Sequence, residues 1–272
     1  MFYTIFAVLL RIVSNSYLNV CQKFLTNLGQ KSSVVNFYTY LGLGILILPL
    51  MSLISVELIK YAFIMGALGA LGNYFIIKAL SIGELSTLAP INSYKPVVAL
   101  VVGLLYLHEI PSAFAILGIF LIIVGTYFVL DKNEGALNYK AIFYRVLALI
   151  FSGTEAIFIK KIILMSDITT AFVYWVLAGL LFAGLFVLPA RRTMKIVSYK
   201  YQIFLVLAVG LMQYATNFVF ARMNVSYALA LFQLSTLLSV VLGVSLFKEK
   251  HLKRKLAASL VMVAGAVIII LC

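Results

Sequence analysis

Residues 78–130 read KALSIGELSTLAPINSYKPVVALVVGLLYLHEIPSAFAILGIFLIIVGTYFVL, and the fold follows from how this stretch divides. Two apolar runs, 85–107 and 112–130, are separated only by the residues HEIP at 108–111. Each run is close to the ~20 mostly apolar residues that carry a helix across bilayer hydrocarbon. Working outward, apolar runs divided by short polar clusters predict further spans at 2–24, 34–55, 61–79, 141–163, 168–189, 201–221, 226–247 and 254–271. Spans three and four are parted only by residues 81–84. Ten such spans occupy about 200 positions, which leaves short loops and no room for a soluble domain.

Composition agrees. Of 272 residues 64% are hydrophobic and 11% charged, more apolar surface than a soluble core of this size buries, so the bilayer must act as solvent. The net charge of +13 would suggest nucleic acid in a soluble protein. Here it reads as basic loops meeting anionic lipid, with no aromatic and basic module for RNA or DNA. Cys21 and Cys272 are isolated thiols without metal or disulfide spacing. The first apolar run carries Arg11, Asn15 and Asn19 and lacks a small-residue cleavage site, so it is expected to be span one and not a removable signal.

The polar stretch DKNEGALNY at 131–139 forms the seam, giving a first five-helix unit at 1–130, a linker at 131–140 and a second unit at 141–272. A constant offset of 140 pairs Gly103 with Gly243, Glu109 with Glu249 and Gly125 with Gly265. An offset of 138 pairs Ser14 with Ser152 and Lys23 with Lys161. Five spans per unit make the second copy enter from the opposite face. The expected fold class is therefore an all-α integral membrane protein of ten transmembrane helices arranged as two inverted five-helix repeats, an architecture of many secondary carriers. Lys and Arg concentrate in the loops after spans one, three, five, seven and nine, which places both termini outside a cell inner (plasma) membrane.

The quoted stretch resembles the EamA-type half of the drug/metabolite transporter superfamily: a span with internal Pro90 and Pro96, an apolar run ending in Leu107-His108-Glu109, then a Gly-containing span with Gly118 and Gly125. The second unit repeats it more loosely with Gly243, Phe247-Lys248-Glu249 and Gly265. The resemblance implies ten helices around a central cavity lined from both halves, and transport of metabolites such as amino acids, sugars, nucleotide sugars or phosphorylated compounds. Span nine lacks the prolines of span four, so the pattern predicts asymmetry between these two spans and a substrate gripped mainly by the first half.

Candidate binding residues are the polar groups at bilayer depth. Lys95 lies near the centre of span four, where a charge costs roughly 2.5–3.5 kcal/mol on insertion scales. It is expected to bind an anion, to form a structural ion pair or to snorkel. The flanking prolines free backbone carbonyls, which membrane interiors tolerate only beside protein, water or ligand, and Asn92 lies one turn away. Glu155 is the one acidic residue near a span centre. It is a candidate proton carrier, a partner for Lys95 or a site for a substrate ammonium. Arg11, Asn15 and Asn19 in span one, and Gln213 and Asn217 in span eight, recur every four residues and so face the bundle. Such stripes serve a wet cavity or interhelical hydrogen bonds. Asn73, Tyr74, Tyr94, Tyr214 and Gln233 complete the set, the tyrosines as aromatic walls with polar tips, while Trp175 in span seven suits packing or contact. His108 and His251 lack the clustering of a metal site.

These features predict a secondary transporter that moves a small polar metabolite, an amino acid or related organic anion, across the membrane by alternating access. Phosphorylated or nucleotide-type cargo is the alternative, and a non-transporting membrane scaffold with fixed charge pairs is the alternative of another class. No protease, hydrolase or Walker motif lies in the spans, so neither catalysis nor a cofactor is expected. The expected partners are the solute, lipid, a coupling proton and a second copy of the chain.

Overall fold

Two helices of the second half begin at a side-chain cap, where a polar loop gives way to apolar residues. Asp167 accepts the amides of Thr169 and Thr170 at 2.7 and 3.0 Å, and Asn138 accepts that of Ala141 at 3.1 Å; both fix orphan donors of a helix N-terminus. The computed structural model describes residues 2–50, 56–95, 97–98, 112–129, 138–223 and 225–271. Pro96, Gly103, Leu107, His108, Glu109 and most of the 131–140 linker lie outside the described residues.

Among the described residues the structure is all helical. The first half contains α1 (Phe2–Asn27), α2 (Ser32–Ile47), α3 (Val56–Leu80), the short α4 (Leu85–Leu88) followed by a 3₁₀ turn (Pro90–Tyr94), and α5 (Ala113–Val129). The second contains α6 (Tyr139–Met165), α7 (Ile168–Val187), α8 (Tyr199–Arg222), α9 (Val225–Phe232), α10 (Leu234–Phe247) and α11 (Leu252–Leu271). Among the described residues six helical segments are long and apolar enough to cross a membrane: Phe2–Asn27, Ser32–Leu50, Val56–Leu80, Tyr139–Met165, Ile168–Thr193 and Tyr199–Arg222. The outer surface is greasy, with Phe6, Leu9 and Val13 of α1 and Phe120, Ile123 and Tyr127 of α5 exposed. The interior instead holds Arg11, Asn19, Asn36, Arg145, Glu155, Gln213 and Asn217. This arrangement suits a hydrocarbon solvent, since a soluble surface does not present apolar area on this scale.

The most extensive helix pairs are α3 with α6, α5 with α11, and α1 with α8. Matching the halves in order, α1 with α6 and α3 with α8, exchanges the first of these pairs with the third and maps α5 with α11 onto itself. Small residues permit the α5–α11 contact. A Cβ built on Gly265 would lie 2.6 Å from the Gly118 carbonyl oxygen, and one on Gly125 would lie 2.8 Å from that of Ala258. Because backbone blocks the space, the expected result for Gly265→Val is a loss of about 1–3 kcal/mol, as for overpacked cores, read as a lower melting temperature in detergent.

The prolines of span four predicted asymmetry between it and span nine. Both are interrupted. In span four Pro90 supplies no amide, and the Asn92 amide turns to the Ala89 carbonyl. In span nine the break falls at Gln233, between α9 and α10, without any proline. Side chains substitute there: Gln233 Nε2 donates to the Leu229 carbonyl at 2.9 Å and the Ser235 hydroxyl to that of Phe232 at 2.7 Å. Side-chain takeover of backbone bonds is one way an intramembrane helix tolerates a break, and it leaves no compositional mark as plain as proline.

Candidate binding cavity

Inside the bundle lies a cavity of about 100 Å³ walled by α1, α3, α6, α7, α8, α9 and the irregular segment of span four. Seven predicted residues line it: Asn15, Asn19, Asn73, Asn92, Lys95, Glu155 and Gln213. The α1 stripe reaches it as the four-residue period requires. Five predicted residues lie elsewhere. Tyr94 turns away and its hydroxyl meets that of Thr126 on α5 at 2.8 Å. Tyr74 bonds Lys78 at 3.1 Å and packs on Phe75 and Phe186. Tyr214 is exposed and packs edge-on against Phe172. Asn217 is fully buried with its amide 2.9 Å from that of Gln213, behind the wall, and Gln233 is fully buried at the helix break.

The cavity also holds Arg11, Arg145, Ser152, Trp175, Thr216 and Phe232, which were not among the predicted site residues. The two arginines were legible, since any intramembrane charge is a site candidate by default. Arg11 is only 5% exposed, stacks its guanidinium 4.2 Å from the centroid of Phe232 and reaches Ser235 at 3.4 Å, while its Nε has no partner. Asn15 holds the same Ser235 hydroxyl at 3.0 Å, so α1 grips the span-nine break from one side. Arg145 Nε donates to the Leu88 carbonyl at 3.1 Å. That is a carbonyl at the end of α4, just before the proline turn, and the cation meets it directly.

Glu155 accepts the indole N–H of Trp175 at 2.5 Å. Gly69 of α3 faces this pair so closely that a Cβ there would lie 2.2 Å from the carboxylate and 3.1 Å from the indole nitrogen. The described ion pairs are Lys23 with Glu249 and Lys255 with Glu84. Among the described residues, then, Lys95 and Glu155 share the cavity without a direct ion pair. Asn73 has a second engagement: Gln22 donates to it at 3.0 Å and it donates to Asn36 at 2.6 Å, tying α1, α2 and α3 together beside the cavity. The polar lining comes from both halves, with Arg145, Ser152, Glu155, Trp175 and Gln213 supplied by the second.

A second site joins the halves near the basic loops. Lys248 and His251 adopt left-handed φ of 56° and 65°, and this turn presents Glu249 to the start of α4. Its carboxylate accepts the Leu85 and Ser86 amides, each at 2.8 Å, and pairs with Lys23 at 2.9 Å. Lys23 also donates to the Gly83 carbonyl at 2.7 Å. Burial works to raise the Glu249 carboxyl, but Lys23 and the Ser86 amide overcome it and hold it below the ordinary carboxylate range. A larger cavity of about 760 Å³ opens beside this cluster.

An all-helical bundle with a greasy exterior and a small, charged, central cavity defines a multi-pass membrane protein. The chain belongs to the EamA-like transporter family, whose model matches residues 2–131 and again 139–271. No curated protein sequence matches it. One solved structure, described only as a crystal structure of a protein, superposes with a TM-score of 0.64 at 12% identity over 97% of this chain and 98% of that one. At that identity the likeness concerns the fold alone.

Proposed function

We propose that this protein is a secondary carrier that moves a small organic anion or amino acid across the cell membrane by alternating access. The carrying observation is the central cavity, where Arg11, Lys95 and Arg145 face a single carboxylate, Glu155. In this reading the chain crosses the membrane ten times as inverted repeats at 1–130 and 141–272, joined by 131–140, with both termini outside. The exchange of helix pairs between halves supports the inversion, because two similar arrangements can then open to opposite faces. Lys95, Arg11 and Arg145 attract the anionic group. Asn15, Asn19, Asn73, Asn92 and Gln213 orient it by hydrogen bonds, and Glu155 receives a substrate ammonium or a coupling proton. Among the described residues none of the three cations forms an ion pair, which argues against a scaffold of fixed pairs, since such charges are costly unless something enters to meet them. A small phosphate ester is the second reading, favoured by two guanidiniums that suit phosphate oxygens; a nucleotide exceeds about 100 Å³.

Trp175 is the only tryptophan of the chain and lies in the cavity wall, so its emission reports occupancy. Titration of the purified protein with small carboxylates, amino acids and phosphate esters is expected to change Trp175 emission saturably and to raise the melting temperature. Neutral sugars and organic cations are expected to do neither. A response confined to cations or sugars contradicts the reading.

A further inference from the structure

We infer that the cargo is a dianion, bound by cations from both halves at once; this deepens the proposed carrier function and rests on it. The lining carries three cations, Arg11, Lys95 and Arg145, against one acid, Glu155. Guanidinium groups stay protonated in proteins, and Glu155 already accepts the Trp175 indole. With lysine and carboxylate ionised, two positive charges are unmatched in the empty cavity.

The partners of the cations point the same way. Arg11 is 5% exposed, yet its Nε has no hydrogen-bond acceptor. Its other contacts are the Phe232 ring and the Ser235 hydroxyl, neither of which carries charge. Arg145 meets only the neutral Leu88 carbonyl, and Lys95 has no hydrogen bond or ion pair, among the described residues. In a water-poor interior each such cation needs an anionic acceptor. A zwitterion or monoanion leaves at least one of them unmatched, whereas a dianion balances the cavity. The three cations sit on α1, on the irregular segment of span four and on α6, so they converge from separate walls. A compact molecule with acceptors on opposite sides fits this placement, either a short dicarboxylate or a phosphate monoester. The shared chemistry is two negative charges within a cavity of about 100 Å³.

The test is a charge series of nearly constant size, read by Trp175 emission on the full-length protein in detergent at neutral pH. Succinate, succinamate and succinamide carry two, one and no negative charges, and methyl phosphate tests the phosphate arm. Succinate or methyl phosphate is expected to bind at least about tenfold more tightly than succinamate, the scale of one charge-assisted hydrogen bond. The tighter of the two identifies the source of the dianion. Arg145→Gln is expected to abolish that preference while retaining succinamate binding, and Arg11→Gln serves as the second variant if the first fails to fold. Equal or tighter binding of succinamate overturns the dianion inference and leaves an anion carrier intact. No response to any anion, with the protein monodisperse, overturns the carrier reading itself.

Discussion

Lys95→Met is expected to give a protein that melts at a higher temperature than the parent and transports at least about tenfold more slowly, the loss of one charge-assisted contact. The two effects have opposite signs for one reason. A lysine at bilayer depth costs roughly 2.5 kcal/mol or more on insertion scales, and among the described residues no carboxylate forms a direct ion pair with it, Glu155 across the cavity included. Removing the charge relieves the empty protein and strips the solute of an attractive group. A structural ion pair predicts the reverse for stability, because deleting one member of a buried pair costs about 3–5 kcal/mol. Melting in detergent and tracer uptake in proteoliposomes, measured on the same preparation, separate these outcomes. A destabilised variant with normal uptake would return Lys95 to a structural role.

The second large effect concerns Glu249. Glu249→Ala leaves Lys23 buried without its counter-charge and removes the acceptor of the Leu85 and Ser86 amides. A loss of about 3–5 kcal/mol is expected, seen as a fall in melting temperature and as loosening of the start of α4 in hydrogen exchange. The same carboxylate makes stability depend on pH. Its folded pKa is depressed below 4.5, so its contribution is fully present above that ordinary value and disappears as the pH falls through the folded value. Glu249→Gln is therefore expected to flatten the acid limb of the melting profile while leaving a smaller deficit at neutral pH. A parent and variant with parallel acid limbs would show that this contact contributes no linkage.

Much of this architecture was legible because membranes impose simple rules. Apolar runs located the helices, and the four-residue spacing of Arg11, Asn15 and Asn19 identified the inward face of α1. Depth alone marked Lys95 and Glu155, which share the cavity. The tyrosines were less readable. Tyr74, Tyr94 and Tyr214 occupy plausible depths, but which way a side chain points depends on helix rotation, and a chain with 16 tyrosines gives composition little power to choose. The break at Gln233 was missed because side-chain acceptors and donors, not proline, create it. Trp175 was visible as an aromatic in span seven, but its bond to Glu155 joins α6 to α7 in a space left by Gly69 of α3, which spacing along the chain does not reveal. The register paired Glu109 with Glu249 without giving either a role; that Glu249 caps a helix of the other half is a tertiary fact which spacing does not carry.

Counterflow separates alternating-access transport from binding alone. Proteoliposomes are loaded with an unlabelled small dianion that shifts Trp175 emission, then diluted into medium containing a trace of the same labelled compound. A carrier with one cavity exposed alternately to each face predicts that tracer transiently rises inside above its external concentration and then decays. The overshoot should be absent without internal substrate and in the Lys95→Met protein. Tracer that only equilibrates, or never enters vesicles whose protein still binds the compound, would contradict alternating-access transport.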